Sequence, residues 1–165
     1  MNNKHSMLHL LIVERVVPIQ NNNIGYLIYI AHVVLSKYFN NSIHKILPTL
    51  TGVQFTILIY LYYHRDKIVT QREITDYLHL RHPTVRHIIK LILKKHLIVS
   101  GPLPTDHRQV QLMISNNGNQ LIKSHLPAIN HDYQQMNQII TNHMDKSSVH
   151  NLEDLLTQLI KNFEE

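Results

Sequence analysis

The chain has 165 residues, no cysteine and a formal net charge of +5. This length suffices for one domain with a buried core, and the lack of cysteine excludes a disulfide framework and a thiolate metal site. The N-terminal apolar run from Met7 to Val13 is interrupted at His9 and is too short to span a bilayer. We therefore expect a cytoplasmic protein with no membrane partner.

The first elements in chain order are helical. A short helix is predicted over Ser6 to Val16, followed by the polar linker Gln20 to Asn23 and an amphipathic helix from about Ile24 to Ile43. Thr51 then caps a helix from Gly52 to Tyr63 that is apolar nearly all round. This last helix is predicted to lie at the centre of the core.

Two short helices are predicted next. Thr70 and Glu73 have the spacing of a capping box, in which the hydroxyl accepts from the Glu73 N–H and the carboxylate reaches back to the Thr70 N–H. This helix stops after His79, and Pro83 suits the first turn of the next one. The apolar side of that helix contains Val85, Ile88, Ile89, Ile92 and Leu93, and its polar side contains Thr84, Arg86, His87, Lys90 and Lys94. The pattern predicts a helix-turn-helix.

A β-hairpin follows the two helices. Apolar Leu97, Ile98 and Val99 lead into a connection from Gly101-Pro102 to Asp106-His107-Arg108, after which Val110, Leu112 and Ile114 alternate. The fold class predicted is therefore mostly α with a small β-hairpin wing, a winged helix-turn-helix.

The C-terminal part is predicted to be helical. Ser115 caps a helix that is kinked or broken at Pro127, and Ser147 or Ser148 opens a last helix. The apolar faces of the terminal helices indicate two-fold dimerisation. We expect one domain overall: dimerisation helices in 1–47, the winged helix-turn-helix in 48–118, and further dimerisation helices in 119–165.

The excess positive charge lies in one window. From His64 to Arg108 there are nine basic and four acidic residues, whereas the remainder has seven of each and is neutral. A local excess of this kind favours contact with phosphate, although a merely solvated basic face is the alternative.

One ordered set of residues from Leu50 to Leu121 resembles a known family. The set comprises Leu50-Thr51, Gln54-Phe55, Thr70-Gln71-x-Glu73-Ile74, Leu78, Pro83-Thr84-Val85, Lys94-Lys95-x-Leu97-Ile98, Pro104-x-Asp106-x-Arg108 and Ile114-Ser115-x-x-Gly118. With it, the chain resembles the MarR family of bacterial winged-helix transcription regulators. His96 departs from the pattern, because it stands where the family usually has a glycine in the left-handed conformation.

The resemblance implies a homodimer that places each recognition helix in a major groove of double-stranded operator DNA. Arg108 would enter the minor groove, with Asp106 holding the wing tip. Arg86 is expected to contact guanine and Lys90 phosphate. The other predicted contacts on this DNA face are His82, Thr84, His87, Lys94 and His107.

Fourteen histidines raise the question of metal binding or pH sensing. His5 and His9 lie one helical turn apart, but neither cysteine nor a carboxylate cluster accompanies them, so no metal site and no cofactor are predicted. A second hypothesis is that His82, His87 and His107 gain charge near neutral or acidic pH and alter DNA affinity.

The resemblance also implies a small aromatic or phenolic effector in a cleft beside the dimerisation helices. The candidate lining residues are Tyr26, Tyr29, His32 and Tyr60, with Tyr38 and Tyr63 as further members. The alternative, that these are ordinary core and interface residues, stays open.

Two functions from different classes follow. No glycine-rich phosphate loop, nucleophile elbow or paired carboxylates occur, so an enzyme with catalytic residues is not expected. The first function is a sequence-specific DNA-binding transcription regulator, a homodimeric repressor modulated by a ligand. The alternative is a winged-helix protein-interaction module with weak DNA affinity.

Overall fold

The computed structural model describes residues 23–103 and 105–163. The elements in this part of the chain are α1 (Ile24–Ile46), α2 (Gly52–Tyr63), β1 (Val69–Thr70), α3 (Gln71–Leu78), α4 (His82–Lys94), β2 (Ile98–Leu103), β3 (Asp106–Ile114), α5 (Asn116–Ile140) and α6 (Lys146–Lys161). They divide into two compact units, the first ending at Asn41 and the second beginning at Ser42. The predicted helix over Ser6 to Val16 lies outside the described residues. None of the described helices is long and apolar enough to cross a membrane.

Helix α2 is the centre of the second unit. Phe55, Ile57 and Leu58 are completely buried in it, which confirms its predicted place in the core. Thr51 caps it as predicted, since its side chain accepts from the Gln54 N–H at 3.3 Å. The Gln54 side chain accepts in return from the Thr51 N–H at 3.4 Å, so this helix begins with a capping box that the sequence did not predict.

The helix-turn-helix is formed by α3 and α4. Thr70 caps α3 and accepts from the Glu73 N–H at 3.1 Å, as predicted. The reciprocal half of that predicted capping box is wrong, because the Glu73 carboxylate accepts from the Tyr60 hydroxyl instead. His79 ends α3 in the left-handed conformation, with φ of 49°. Helix α4 has Pro83 in its first turn.

The sheet has the order β1-β3-β2, and both pairs are antiparallel. Leu103 pairs with Asp106, so the predicted connection from Gly101 to Arg108 is wrong: most of it is strand, and only 104–105 lie between β2 and β3. Strand β2 is at the sheet edge, where a proline such as Pro102 is tolerated.

Two predictions about the C-terminal helices are also corrected. Helix α5 begins after the predicted cap Ser115 and runs through Pro127 to Ile140, so of the two predicted alternatives, a kink or a break, the break is wrong; Ile122 and Ile129 are buried on either side of the proline. Helix α6 is capped by Asp145, not by Ser147 or Ser148. The Asp145 carboxylate accepts from the Ser148 N–H at 2.7 Å, and its charge suits the positive end of the helix dipole.

Candidate nucleic-acid interface

Helix α4 presents a polar face to solvent. Val85, Ile89 and Ile92 are buried against the rest of the winged helix because they recur at helical spacing. The opposite face contains all of the α4 residues predicted to contact DNA, and every one is exposed: His82, Thr84, Arg86, His87, Lys90 and Lys94. The arrangement gives a continuous surface of hydrogen-bond donors and positive charge.

Gln71 adds to this face from the preceding helix. It is the first residue of α3 and lines an open cavity of about 290 Å³ with five α4 residues, which are His82, Pro83, Arg86, His87 and Lys90. The sequence placed Gln71 only within the family pattern and not among the DNA contacts. Its position in the first turn of the first helix of the helix-turn-helix could have indicated that it lies beside the α4 face.

The wing tip is held by Asp106. One carboxylate oxygen accepts from the Arg108 backbone N–H at 3.0 Å, and the other accepts from the Gln109 side-chain amide at 3.1 Å. These bonds fix the backbone just after the turn and leave the Arg108 side chain exposed. The side chain of His107 lies outside what the structure describes.

Lys95 is turned away from the α4 face. Its ammonium donates to the Thr49 carbonyl and, at 2.6 Å, to the Gln54 side-chain oxygen. This lysine therefore ties the end of α4 to the start of α2. It was one of the nine basic residues counted in the sequence window, but its ammonium is hydrogen-bonded within the fold.

A second cavity, of about 500 Å³, lies between α2, α3 and α5. We call it the aromatic cavity; its lining is Ile59, Tyr60, Tyr63, His64, Tyr77, Ile129, Asn130, Tyr133 and Gln134. Of the four residues predicted to bind an effector, Tyr60 lies here, whereas Tyr26, Tyr29 and His32 lie on α1 in the other compact unit. Sequence reasoning missed Tyr77 and Tyr133, since their helices are brought together only by the fold.

Tyr60 is the most constrained residue of the aromatic cavity. Its ring stacks on His64 with centroids 4.1 Å apart and contacts the Tyr77 ring at 4.4 Å. Its hydroxyl donates to Glu73 Oε1 at 2.7 Å. This hydrogen bond, with burial and the negative charge of Glu73 adding to it, raises the pKa of Tyr60 to about 12. Burial, followed by the neighbouring Tyr77 and Asp132, also raises the pKa of Tyr133.

No group of three or more metal-ligating side chains occurs in the part of the chain that the structure describes. His5 and His9 are outside that part. His79 ends α3 and His82 begins α4, and both are exposed.

The fold of the described residues is a winged helix-turn-helix whose second helix, α4, has an exposed polar face. Residues 49–109 match the model of the MarR family, in agreement with the resemblance seen in the sequence. No curated protein matches the sequence.

Solved structures share the fold over most of the chain. The complex of S. aureus MepR with DNA has a TM-score of 0.73 at 20% identity and covers 85% of this chain and 98% of that chain. A mutant of E. coli MarR complexed with operator DNA has a TM-score of 0.71 at 19% identity, covering 82% and 91%. A MarR transcriptional regulator from Methanosarcina mazei Go1 has a TM-score of 0.69 at 18% identity, covering 84% and 94%.

Proposed function

We propose that the protein represses transcription as a homodimer that binds double-stranded operator DNA in a sequence-specific manner. The observation that supports this most directly is the exposed polar face of α4, backed by Val85, Ile89 and Ile92. In this proposal α4 enters the major groove, where Arg86 pairs with guanine and Lys90 contacts phosphate. Arg108 enters the adjacent minor groove, positioned by the Asp106 carboxylate.

Exposed apolar surface supports the homodimer. No residue of α6 is buried, and Leu155, Leu156, Ile160 and Phe163 are exposed on or just after it. Helix α1, in the other unit, exposes Leu27, Val33 and Val34. A second copy that covers these residues would remove apolar area from water, which is the usual arrangement in symmetric oligomers.

The aromatic cavity supports a ligand-modulated regulator. Helix α3 contributes Tyr77 to this cavity and Gln71 to the cavity on the DNA-facing side. A small molecule that displaces Tyr77 would therefore shift the helix that packs beside α4. We propose the aromatic cavity as the effector site, with Tyr60 as its central residue.

The test is fluorescence anisotropy with labelled DNA from upstream of the protein's own gene, against a scrambled fragment and across a salt series. We expect the upstream DNA to bind more tightly and its affinity to fall steeply with salt. Arg86→Ala should weaken binding about tenfold or more and reduce the preference over scrambled DNA, whereas Lys90→Ala should weaken both DNAs and lower the salt slope by about one. Arg65→Ala, which removes a charge outside α4 and the wing, is the matched control.

Equal, weak binding to every DNA, including fragments selected from the whole genome, would contradict this proposal and favour the protein-interaction module.

The histidine hypothesis is tested with the same assay. If His82 and His87 contribute charge, affinity should rise from mildly alkaline to mildly acidic buffer in the wild type and less in a His82→Gln, His87→Gln variant. Affinity that does not change with pH would contradict it.

A further inference from the structure

We propose that the aromatic cavity selects a ligand that is an organic cation with an aromatic ring, rather than a phenolate or another anion. This inference rests on the proposal that the cavity is the effector site and names the ligand class for it. The cavity volume of about 500 Å³ is in the range of small-molecule sites.

The rings around the cavity favour positive charge. Four tyrosines and one histidine line it, and they come from α2, α3 and α5. The face of an aromatic ring has negative electrostatic potential, so several rings that line one open cavity attract a cation even though Tyr63 and Tyr77 are half or more exposed. Tyr60 and Tyr77 already meet at an interplanar angle of 44°, which forms a corner of such an enclosure.

The polar groups behind the rings act in the same direction. The Tyr60 hydroxyl donates to Glu73 Oε1 at 2.7 Å, so the Tyr60 ring is electron-rich and a negative charge lies beside its hydroxyl edge. Asp132 is next to Tyr133 in sequence and accepts from the Ser42 hydroxyl, and its charge contributes to the raised pKa of Tyr133. These two carboxylates add negative potential to the cavity.

The described lining offers an anion hydrogen-bond donors but no permanent positive charge. Among the described lining residues there is no lysine or arginine. His64 uses Nδ1 against the Tyr60 carbonyl at 2.8 Å, and because a carbonyl only accepts, Nδ1 must hold a hydrogen there. An anion would be desolvated without a charged partner, which is costly.

The experiment is isothermal titration calorimetry of the full chain with three probes of similar shape. Phenyltrimethylammonium is the cation, 2-phenyl-2-propanol the neutral analogue and benzenesulfonate the anion. We expect the cation to bind at least tenfold more tightly than either of the others. Equal affinity for the alcohol, tighter binding of benzenesulfonate, or no binding of any probe would overturn the proposal.

Substitutions of the cavity tyrosines test whether the cation binds in the aromatic cavity. They also distinguish attraction by the ring faces from simple apolar packing. Tyr77→Leu and Tyr133→Leu should each weaken cation binding about tenfold, whereas Tyr77→Phe and Tyr133→Phe keep the ring face and should stay within about threefold of the wild type. Tyr62→Leu, a tyrosine of α2 outside the cavity lining, is the control and should not change affinity. Unchanged binding in both leucine variants of the cavity would also overturn the proposal.

Operator binding without any probe is measured in parallel by anisotropy. If DNA binds and the cation does not, the ligand class is wrong and the DNA-binding proposal stands. If benzenesulfonate binds in the cavity and changes DNA affinity, the effector site stands and only its charge preference is wrong.

Discussion

At the scale of single residues, Tyr60 links the core helix α2 to the helix-turn-helix through its hydrogen bond to Glu73. Because its pKa is raised from 10.0 to about 12, the protonated hydroxyl favours the folded state. That contribution is fully present below pH 10 and is lost as the pH rises towards 12. Tyr60→Phe should lower the free energy of unfolding by about 1 kcal/mol at neutral pH.

The measurement is urea unfolding of the wild type and Tyr60→Phe at several pH values. The difference between them should shrink from pH 10 to pH 12, since both then lack the protonated hydroxyl. Tyr62→Phe, on the same helix, is the control for the loss of a tyrosine hydroxyl elsewhere. A difference that stays constant through this pH range would show that Glu73 does not hold the Tyr60 proton.

His96 is the second residue whose conformation allows a prediction. It follows α4 with φ of 56°, a left-handed value that costs a side chain about 1 kcal/mol relative to glycine. His96→Gly should raise the free energy of unfolding by up to about 1 kcal/mol, measured by urea denaturation. Lys94→Gly, inside α4, should instead lower it by about 1 kcal/mol. Destabilisation by both would mean that the His96 side chain contributes more than its backbone strain costs.

At this scale the sequence predicted contacts between residues close together in the chain and missed those between distant residues. The caps Thr51, Thr70 and Ser115 were predictable because each hydroxyl bonds an N–H three residues ahead. The left-handed position of His96 was also predicted, from the family pattern, and is confirmed. The bond between Tyr60 and Glu73 joins two helices, and no local spacing indicates it.

At the scale of elements, the helices of the winged helix-turn-helix followed from their caps and periodicity. The errors occurred where packing outweighs a local signal. Pro127 does not break α5, because buried Ile122 and Ile129 keep the helix continuous. Gly101 and Pro102 stay in β2 because β3 pairs with them, so the wing is longer than the sequence indicated.

Gly118 shows how closely the elements approach one another. A Cβ built on it would lie 2.1 Å from the Leu97 carbonyl oxygen, where α5 begins beside β2. The same carbonyl accepts from the Ser115 N–H at 3.0 Å, so the start of α5 cannot move away without losing that bond. Gly118→Ala should therefore lower the free energy of unfolding by about 2 kcal/mol or more.

Thermal or urea unfolding checks this, with Gly25→Ala as the comparison. An added Cβ at Gly25, near the start of α1, meets only the Asn23 side-chain oxygen, which accepts from the Tyr26 N–H, and alanine favours the helix, so the loss there should be much smaller than at Gly118. Equal stability of Gly118→Ala and the wild type would mean that α5 has room beside Leu97.

At the scale of the whole molecule, the sequence indicated the polar face of α4 more completely than the aromatic cavity. The α4 face comes from one helix, so its period was visible in the sequence. The aromatic cavity takes residues from three helices, and only Tyr60 and Tyr63 of its tyrosines were anticipated. The net charge of the window indicated a basic surface. One of its charges, that of Lys95, instead holds two helices together through its hydrogen bond to Gln54.

At this scale, the main prediction concerns the solvent-exposed apolar side chains of α6. Leu155 is 69% exposed and Ile160 is 56% exposed, although both are large aliphatic side chains. If a second copy covers them, Leu155→Asp would place a charge in an apolar interface and should convert the dimer to a monomer at micromolar concentration. Sedimentation velocity measures the mass, and Thr157→Asp, on another side of the same helix, should stay dimeric.

DNA affinity should fall with the dimer. A dimer presents two recognition helices to two half-sites of the operator. Because the second helix binds intramolecularly, the dimer should bind the operator about 10² or more tighter than a monomer binds one half-site. The Leu155→Asp monomer should therefore bind operator DNA about 100-fold more weakly. Its helix-turn-helix amides should keep the same protection from hydrogen exchange as in the wild type. A monomeric variant that binds as tightly as the wild type would contradict two-fold binding, and a wild type that is itself monomeric would remove dimerisation from the proposed function.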